Sequence, residues 1–222
     1  MTPLIALNLK AYKESAGERG LALCRIAEEV AKETGAYIIV APQNVDLFRV
    51  ANAVSIPVFA QHIDSNAQGA FTGSITADAV KEAGCQGTLL NHAEKKIPLE
   101  KIQLSIELAK KAGIKSLLCA DSVYEAKRIA PLKPDFIAVE PPELIGSGIS
   151  VSKANPEIVR NTVDEVKKIW NIPVLCGAGV SSGEDVRKAL ELGADGVLLA
   201  SAFVKAGNPR AILLDMANSL KG

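Results

Sequence analysis

The sequence predicts an α/β protein, and more narrowly a single-domain (β/α)8 barrel that spans residues 1–222. Short apolar runs, typical of buried strands, alternate with longer amphipathic segments along the whole chain. Eight such runs occur, and each is almost continuously apolar, as in parallel strands that are covered on both faces. Because no linker or low-complexity segment interrupts the alternation, a second domain is not expected.

Composition and charge agree with this class and exclude others. The chain has 222 residues, of which 48% are hydrophobic but only 4% aromatic, so aliphatic side chains must fill the core, as they do in barrels. The formal net charge is zero, which argues against a general nucleic-acid or membrane-surface binder, since such proteins carry a basic excess. Without a signal-peptide pattern or a membrane-length apolar run, we expect a cytoplasmic protein.

The cysteines are too widely spaced for a metal or redox motif. They are Cys24, Cys85, Cys119 and Cys176. Each lies in an apolar stretch, where we expect a reduced thiol that packs as a small hydrophobic side chain. No His, Cys and Asp cluster has ligand spacing, so the sequence predicts no metal site.

The predicted strands are apolar runs that end at polar or small residues. They cover residues 4–9, 37–40, 57–60, 87–90, 116–119, 136–139, 173–176 and 196–199. The alternative fold is an open doubly wound sheet, which normally carries a glycine-rich fingerprint after its first strand. Here the first strand ends in Asn8-Leu9-Lys10 instead, which favours the barrel.

The predicted helices carry recognisable start and stop signals. They cover residues 20–34, 43–53, 76–83, 98–112 and 122–130. Three more are predicted: one begins at Pro156, one follows Ser182, and the last runs roughly from 209 to 220. Gly35, Gly84 and Gly113 directly follow three of them, and Ser182 with Asp185 frames the start of another. In the helix that begins at Pro156, helical spacing predicts burial of four residues: Val159, Val163, Val166 and Trp170.

In a barrel, functional groups come from the segments that follow the strands. Asn8 and Lys10 follow the first strand at a spacing that points both to one side, so Lys10 would set a positive charge over the pocket. The alternative is a loop lysine that extends into solvent.

His92 follows the fourth strand, where a short helical turn can start. A helix N-terminus disfavours the imidazolium, and a neutral imidazole can donate a hydrogen bond to a carbonyl and take a proton back. The alternative is a core histidine bonded to the backbone. The other histidine, His62, is assigned no chemistry.

Glu140 ends the sixth strand and is followed by Pro141 and Pro142, which stiffen the exit. Residues 144–148 are apolar at first and glycine-rich at the end. A lid over a catalytic acid or base needs these parts. The alternative is a surface turn that follows a strand and leaves Glu140 solvated.

Small residues follow strands seven and eight, at 177–179 and at Ala200-Ser201. Backbone N–H groups at such turns can approach an anion, and these two loops of a barrel frequently hold a phosphate. Gly146 offers a further donor from the loop after strand six. The alternative is that tight turns need small residues in any case.

Four motifs in this order resemble those of triosephosphate isomerase: Asn8-x-Lys10, Gly69-Ala-Phe-Thr-Gly73, Asn91-His92-x-Glu94, and Ala138-x-Glu140-Pro141 with residues 145–148. The resemblance spans the chain and implies a TIM barrel that interconverts dihydroxyacetone phosphate and D-glyceraldehyde 3-phosphate without a cofactor. It implies that Glu140 is the base, His92 the neutral electrophile and Lys10 the cationic substrate binder. It also implies that the substrate contacts further residues: Asn8, Ile145, Gly146, Gly179, Ala200 and Ser201.

Several positions depart from the common family pattern. Gly179 stands where a serine is common, so a hydroxyl donor to phosphate is missing, and Ser201 offers one nearby. The chain is also shorter than the roughly 250 residues usual for such barrels. These features resemble the compact archaeal branch, which implies a dimer-based homo-oligomer, expected to be a tetramer, with loop 69–74 at the interface.

Other functions remain open on the residues alone. Another phosphate-binding barrel enzyme, an aldolase or a synthase, is one alternative, with Lys10 as the only obvious Schiff-base lysine. A non-enzymatic phosphate-binding module is another, but it would not need Glu140 beneath a lid.

Overall fold

The computed structural model describes residues 2–145 and 149–221, and eight parallel strands alternate with helices in this part of the chain. The strands are β1 Leu4–Asn8, β2 Tyr37–Ala41, β3 Phe59–Ala60, β4 Gly87–Leu90, β5 Lys115–Ala120, β6 Phe136–Val139, β7 Val174–Gly177 and β8 Gly196–Leu199. Every predicted strand is present, with ends that differ from the prediction by at most two residues.

The strands form one sheet that curves into a nearly closed barrel. Their spatial order is β2-β1-β8-β7-β6-β5-β4-β3, and every pairing is parallel. The remaining seam lies between β2 and β3, where Val40 and Val58 form an isolated parallel bridge. The Val40 N–H donates to the carbonyl of Pro57 at 3.0 Å. This closure rules out the open doubly wound alternative and confirms the (β/α)8 barrel.

The helices surround the barrel. They are α1 Glu18–Thr34, α2 Leu47–Ala51, α3 Ala77–Glu82, α4 Leu99–Ala112, α5 Val123–Ile129, α6 Val151–Ala154, α7 Pro156–Ile169, α8 Gly183–Glu191, α9 Ser201–Val204 and α10 Pro209–Asn218. The four-residue helices α6 and α9 were not predicted. The segment predicted as a helix over 43–53 is a 3-10 turn, Asn44–Asp46, that leads into the short α2.

The capping signals largely act as predicted. Ser182 and Asp185 form a capping box at the start of α8. Gly35 and Gly113 end α1 and α4 in the left-handed conformation that glycine adopts without penalty. Pro98 differs from the prediction because it is the N-cap residue of α4 and not part of its first turn.

The predicted burial of Trp170 is wrong. Val159, Val163 and Val166 are buried, but Trp170 is 45% exposed. It lies one residue past the end of α7, where the backbone is extended, so its side chain leaves the apolar face of the helix. The Lys133 ammonium covers the ring instead, 3.7 Å from the ring centroid, in a cation–π contact.

Side chains on the strands alternate between the barrel interior and the layer beneath the helices. On β1, Leu4 and Ala6 pack in the interior, whereas Ile5 packs in the outer layer. All eight strands contribute to the interior cluster, which contains Leu4, Ala6, Ile39, Ala41, Phe59, Leu89, Leu117, Cys119, Phe136, Ala138, Leu175 and Leu198. The same alternation carries Asn8 on β1 and Glu140 beyond β6 to the interior side at the barrel mouth.

The four thiols are buried and unpaired. Burial raises the pKa of Cys24 to about 12 and that of Cys85 to about 11, which disfavours the reactive thiolate. The expected packing as small hydrophobic side chains is therefore confirmed. Among residues 2–145 and 149–221, no group of three or more His, Cys, Asp and Glu side chains is placed to hold a metal ion. Nor does any described helix combine the length and apolar character that crossing a bilayer requires.

The pairing of Gly87 with Phe59 leads to a test of the interior packing. The two residues are partners on β4 and β3, and a Cβ added to Gly87 would lie 2.4 Å from the nearest ring carbon of Phe59. Since the Phe59 ring is completely buried, Gly87→Ala should lower the free energy of unfolding by about 1–3 kcal/mol. Urea denaturation followed by circular dichroism measures this change.

Gly207→Ala is the matched control, because nothing lies within 4 Å of its added Cβ. We expect that variant to stay within about 0.5 kcal/mol of the parent. Equal stabilities of the two variants would contradict the packing described for the interior.

Candidate active site

A cavity of about 220 Å³ opens at the barrel mouth, beside the C-terminal ends of the strands. Each predicted site residue that the structure describes contributes to its lining: Asn8, Lys10, His92, Glu140, Ile145, Gly179, Ala200 and Ser201. Gly146 and the rest of the predicted lid tip, Ser147 and Gly148, lie outside the described residues. The barrel therefore brings together side chains from five strand exits that are far apart in sequence.

Glu140 lies directly after β6 with its backbone N–H bonded to the carbonyl of Ala120 at 2.8 Å. Its side chain packs over Gly177, where an added Cβ would lie 2.5 Å from the Glu140 Cγ. The bare backbone of Gly177 thus makes room for the carboxylate. Oε2 is buried and has no hydrogen-bond partner within the described residues. Because leaving a buried carboxylate oxygen unpaired is costly, this atom is placed for a proton or a ligand.

His92 is adjacent to this carboxylate, with its Nε2 3.6 Å from Glu140 Oε2. On the other side of the ring, the backbone N–H of Glu94 donates to Nδ1 at 3.1 Å. A ring nitrogen that accepts a hydrogen bond carries no proton, so this contact favours a neutral imidazole with its proton on Nε2. The predicted helical start is present, since His92 is the N-cap of the 3-10 turn Ala93–Lys95.

Lys10 contributes a cation to the same cavity. Its Nζ forms an ion pair with Glu94 Oε1 at 2.7 Å, and the Lys10 side chain is 10% exposed while that of Glu94 is 58% exposed. The Lys10 backbone has φ +48°, an uncommon conformation for a residue with a side chain. Three hydrogen bonds hold it there: Lys10 N–H donates to Asn8 Oδ1 at 3.0 Å, while Gln61 Nε2 and Ser15 Oγ donate to the Lys10 carbonyl at 3.1 Å and 3.2 Å. The ammonium therefore stands on a backbone that its neighbours fix.

From the sequence, Glu94 had no role beyond its place in the motif Asn91-His92-x-Glu94, and Gln61 was not recognised as part of the site. Glu94 serves two groups at once, since its backbone N–H binds His92 and its carboxylate binds Lys10. The motif, which places Glu94 two residues after His92 in a helical turn, is the signal that pointed to it. Gln61 had no comparable signal, because its bond to Lys10 joins residues 51 positions apart.

Loop seven, which is the segment 178–182 after β7, and the start of α9 also line the cavity. Ala178 and Gly179 have φ values of +56° and +72°, and α9 begins at Ser201, with only Ala200 between it and β8. The loops after strands seven and eight, together with a short extra helix, form the phosphate site of many barrels. The structure thus brings Gly179, Ala200 and Ser201 into the lining of one cavity, and their binding of a phosphate stays a prediction.

Loop seven also packs against the exit of the segment that follows Glu140. The Val151 N–H donates to the Ala178 carbonyl at 3.2 Å. A Cβ added to Gly179 would lie 1.8 Å from the carbonyl oxygen of Ile149. Position 179 therefore requires glycine for steric reasons. This backbone arrangement has no room for the serine that is common at the position in the family pattern.

Comparisons with known proteins agree with this geometry. The sequence model described as triosephosphate isomerase matches residues 3–219. The chain is 54% identical to the triosephosphate isomerase of Methanocaldococcus jannaschii over 206 residues, which are 92% of this chain and 94% of that protein. It is 50% identical to that of Methanothermobacter thermautotrophicus over 220 residues, covering 99% and 96% of the two chains. For Metallosphaera sedula the identity is 45% over 216 residues, with 97% and 95% covered.

The family model and these relatives cover nearly the whole chain, and the fold is the barrel that the resemblance implied. The chain belongs to the triosephosphate isomerase family.

Proposed function

We propose that this protein interconverts dihydroxyacetone phosphate and D-glyceraldehyde 3-phosphate, with Glu140 as the base, His92 as the neutral electrophile and Lys10 as the cation. Residues 1–222 act as one catalytic domain in this proposal. The observation that carries it is the buried, unpartnered Oε2 of Glu140, 3.6 Å from Nε2 of a neutral His92. A coupled assay of isomerisation in both directions tests it, and absence of turnover with either triose phosphate would refute it.

Glu140 Oε2 removes a proton from the carbon α to the substrate carbonyl. The electron pair of that C–H bond forms the carbon–carbon double bond of an enediolate, while the carbonyl electrons move onto oxygen. The carboxylic acid then returns the proton to the neighbouring carbon, whose hydroxyl loses its own proton and becomes the new carbonyl. Nε2 of His92 donates its proton to the former carbonyl oxygen and takes one back from that hydroxyl, which completes the aldose–ketose exchange. The short distance between the two carbons allows one carboxylate to serve both, so no second base is required.

The negative charge that develops on oxygen is stabilised by two fixed donors. The Nε2–H of His92 donates to the oxygen, and the Lys10 ammonium supplies positive charge in a site of restricted solvent access. This family is the usual example of a glutamate base paired with a neutral histidine. The hydrogen bond from Glu94 N–H to Nδ1 supports the same assignment here, because it leaves the proton of the ring on the nitrogen nearer to Glu140.

The phosphate group binds in the same cavity. In this proposal, backbone N–H groups near Gly179, Ala200 and Ser201 hold it, with Ser201 supplying the hydroxyl that position 179 lacks. Ile145 and Gly146 cover the substrate from the lid. Excluding water protects the enediolate from losing its phosphate, and the chemistry needs no cofactor because carbonyl polarisation is enough to acidify the carbon.

A Schiff-base aldolase is the second candidate considered. It requires a lysine whose neutral amine attacks a carbonyl carbon. The Lys10 ammonium is held in a 2.7 Å ion pair with Glu94, which suits a fixed cation better than a nucleophile. The ion pair therefore favours the isomerase.

The protein forms, in this proposal, a dimer-based homo-oligomer in which loop 69–74 of one copy docks beside the active site of another. A second cavity of about 280 Å³ adjoins the site and shares Asn8, Lys10 and His92 with it. Phe71 at the loop tip is 51% exposed, and Val45 at the cavity rim is 89% exposed. An apolar tip and an apolar rim that are both exposed support docking between two copies.

The base of this loop is rigid enough to present its tip. Asp64 Oδ2 accepts from the Ile75 N–H at 2.8 Å, and the Asp64 N–H donates to the Ile75 carbonyl at the same distance. Further exposed apolar side chains, Leu104 on α4 and Tyr124 on α5, offer a second surface on which dimers could pair into the expected tetramer. We assign the enzyme to the cytoplasm, where its four buried thiols remain reduced.

Glu140→Asp tests the proposed base. Removing one methylene withdraws the carboxylate by about 1 Å, and a misplacement of that size can lower kcat on the order of 100-fold. The fold should persist, since the charge and most of the packing remain. Steady-state kinetics beside a thermal melt measure both, with the exposed Glu157→Asp as a control that should keep the parental rate. Parental kcat in Glu140→Asp would remove Glu140 from the role of base.

Lys10→Met tests the proposed cation. The thioether side chain fills similar space without the charge, so kcat/KM should fall by about 100-fold or more. Lys13→Met changes an exposed lysine three positions along the chain and should leave turnover unchanged. If the two variants have the same kcat/KM, Lys10 is an ordinary surface lysine. Circular dichroism checks that both barrels are folded.

Phe71→Ala and Thr72→Arg test the docked loop. If loop 69–74 inserts beside a neighbouring active site, either change should weaken assembly and lower activity together, although neither residue lines its own cavity. Sedimentation velocity and rate measurements on the same samples compare the two properties. Tyr124→Ala should instead reduce tetramers to dimers that remain active. Fully assembled and fully active Phe71 and Thr72 variants would contradict the docking.

A further inference from the structure

We propose that Asn91 is a positioning residue for His92, which fixes the imidazole from outside the cavity by anchoring the turn that carries it. The inference rests on the proposed function, because it concerns how the electrophile of that reaction is aimed. Asn91 is 1% exposed and belongs to neither of the two cavities at the barrel mouth. Its contribution would therefore pass entirely through the backbone and its hydrogen bonds.

The backbone at Asn91 reverses the alternation of β4. Gly87 faces Phe59 and Leu89 packs in the interior cluster, whereas Leu90 packs in the outer layer. On this alternation the side chain of residue 92 would point toward the helices. Asn91 has φ +59°, a left-handed conformation that interrupts the strand, and His92 lines the cavity instead. The orientation of the electrophile thus depends on one unfavourable backbone conformation.

The Asn91 side chain holds this conformation with three hydrogen bonds. Its Nδ2 donates to the Cys119 carbonyl at 3.0 Å and to Glu125 Oε1 at 2.9 Å. Its Oδ1 accepts from the Ile97 N–H at 3.2 Å. Asparagine tolerates the left-handed region better than most residues. Here its amide also ties the exit of β4 to β5, to α5 and to the far end of the turn.

Glu125 anchors the other end of the same turn. Its Oε2 accepts from the Asp121 N–H at 2.8 Å and forms a short ion pair with the Lys96 ammonium. Lys96 also pairs with Asp121 Oδ2 at 3.1 Å. One carboxylate therefore contacts Asn91 before His92 and Lys96 after it. With both ends held, the ring has little freedom to move away from Glu140.

Two contacts of the ring depend on this anchoring, one a hydrogen bond and the other the approach to Glu140. The turn must keep the Glu94 N–H 3.1 Å from His92 Nδ1, and it must keep Nε2 3.6 Å from Glu140 Oε2. A loosened turn would lengthen the first contact and let the proton exchange between the two ring nitrogens. A purely structural asparagine would change stability without changing the tautomer.

Asn91→Gly is the test, because glycine keeps the left-handed backbone while deleting the three side-chain bonds. We expect kcat to fall about 10-fold or more, since small displacements of a catalytic group are costly, with KM changed by less than about 3-fold. In ¹⁵N–¹H spectra of the ring, the parent should show an unprotonated Nδ1 and a protonated Nε2. In Asn91→Gly both ¹⁵N shifts should move toward a tautomer average.

Lys133→Gly is the matched control. Lys133 is another residue with a side chain and a positive φ, +56°, but it lies before β6, at the end of that strand opposite to Glu140. Its replacement removes the contact with Trp170 and should lower stability without changing kcat or the His92 shifts.

Glu125→Gln is the second test variant, to be used if Asn91→Gly fails to fold. It weakens the ion pair with Lys96 while keeping the size of the side chain. Its ¹⁵N shifts should move in the same direction.

The ¹⁵N shifts of His92 test the positioning role of Asn91. The turnover of a His92→Gln variant tests the proposed function on which that role rests. Parental His92 shifts in Asn91→Gly and in Glu125→Gln would overturn the positioning role, whatever the rates. Parental kcat in Asn91→Gly would overturn it as well. A His92→Gln variant that turns over at the parental rate would instead refute the proposed electrophile, so the two failures are distinguishable.

Discussion

The alternation of side chains along the eight strands is the constraint from which both the core and the site follow. Interior positions pack against one another inside the barrel, and outer positions pack beneath the helices. The next interior position after Ala6 is Asn8, and the next after Ala138 is Glu140. Regular strand geometry therefore brings both residues to the barrel mouth. By this alternation the side chain of His92 would point toward the helices, and the left-handed conformation of Asn91 turns it into the cavity instead. The site is thus largely a continuation of the core.

The neutral state of His92 determines how the charges at the mouth can work together. An imidazolium 3.6 Å from Glu140 would form an ion pair and make the carboxylate a weaker base. The backbone N–H of Glu94 disfavours that state because it occupies Nδ1 as a donor. The carboxylate of the same residue balances Lys10. In the proposed mechanism, Glu94 therefore keeps His92 and Lys10 from neutralising the carboxylate of Glu140.

Pattern predicted the strands and the barrel, because buried parallel strands leave apolar runs whose last positions are easily read. It offered Glu140 and Lys10 as candidates at strand ends, and the family resemblance implied their roles. The partners that fix them were not predicted, since the Lys10–Glu94 pair joins residues 84 positions apart. Trp170 was mispredicted because it continues the helical spacing of Val166 although α7 ends at Ile169. The spacing of apolar residues predicts which face of a helix is buried, but the residue at which the helix ends depends on tertiary contacts.

The close approach of Gly179 to Ile149 constrains how the sequences of these two segments can vary and recombine. Loop seven and the exit of the lid segment are far apart in sequence, yet a side chain at 179 would collide with the carbonyl of Ile149. A recombinant with a crossover between the two segments would join a serine-bearing loop to an exit that has room only for glycine. The two segments should therefore diverge as a pair and be transplanted as a pair, although ordinary domain boundaries would never group them.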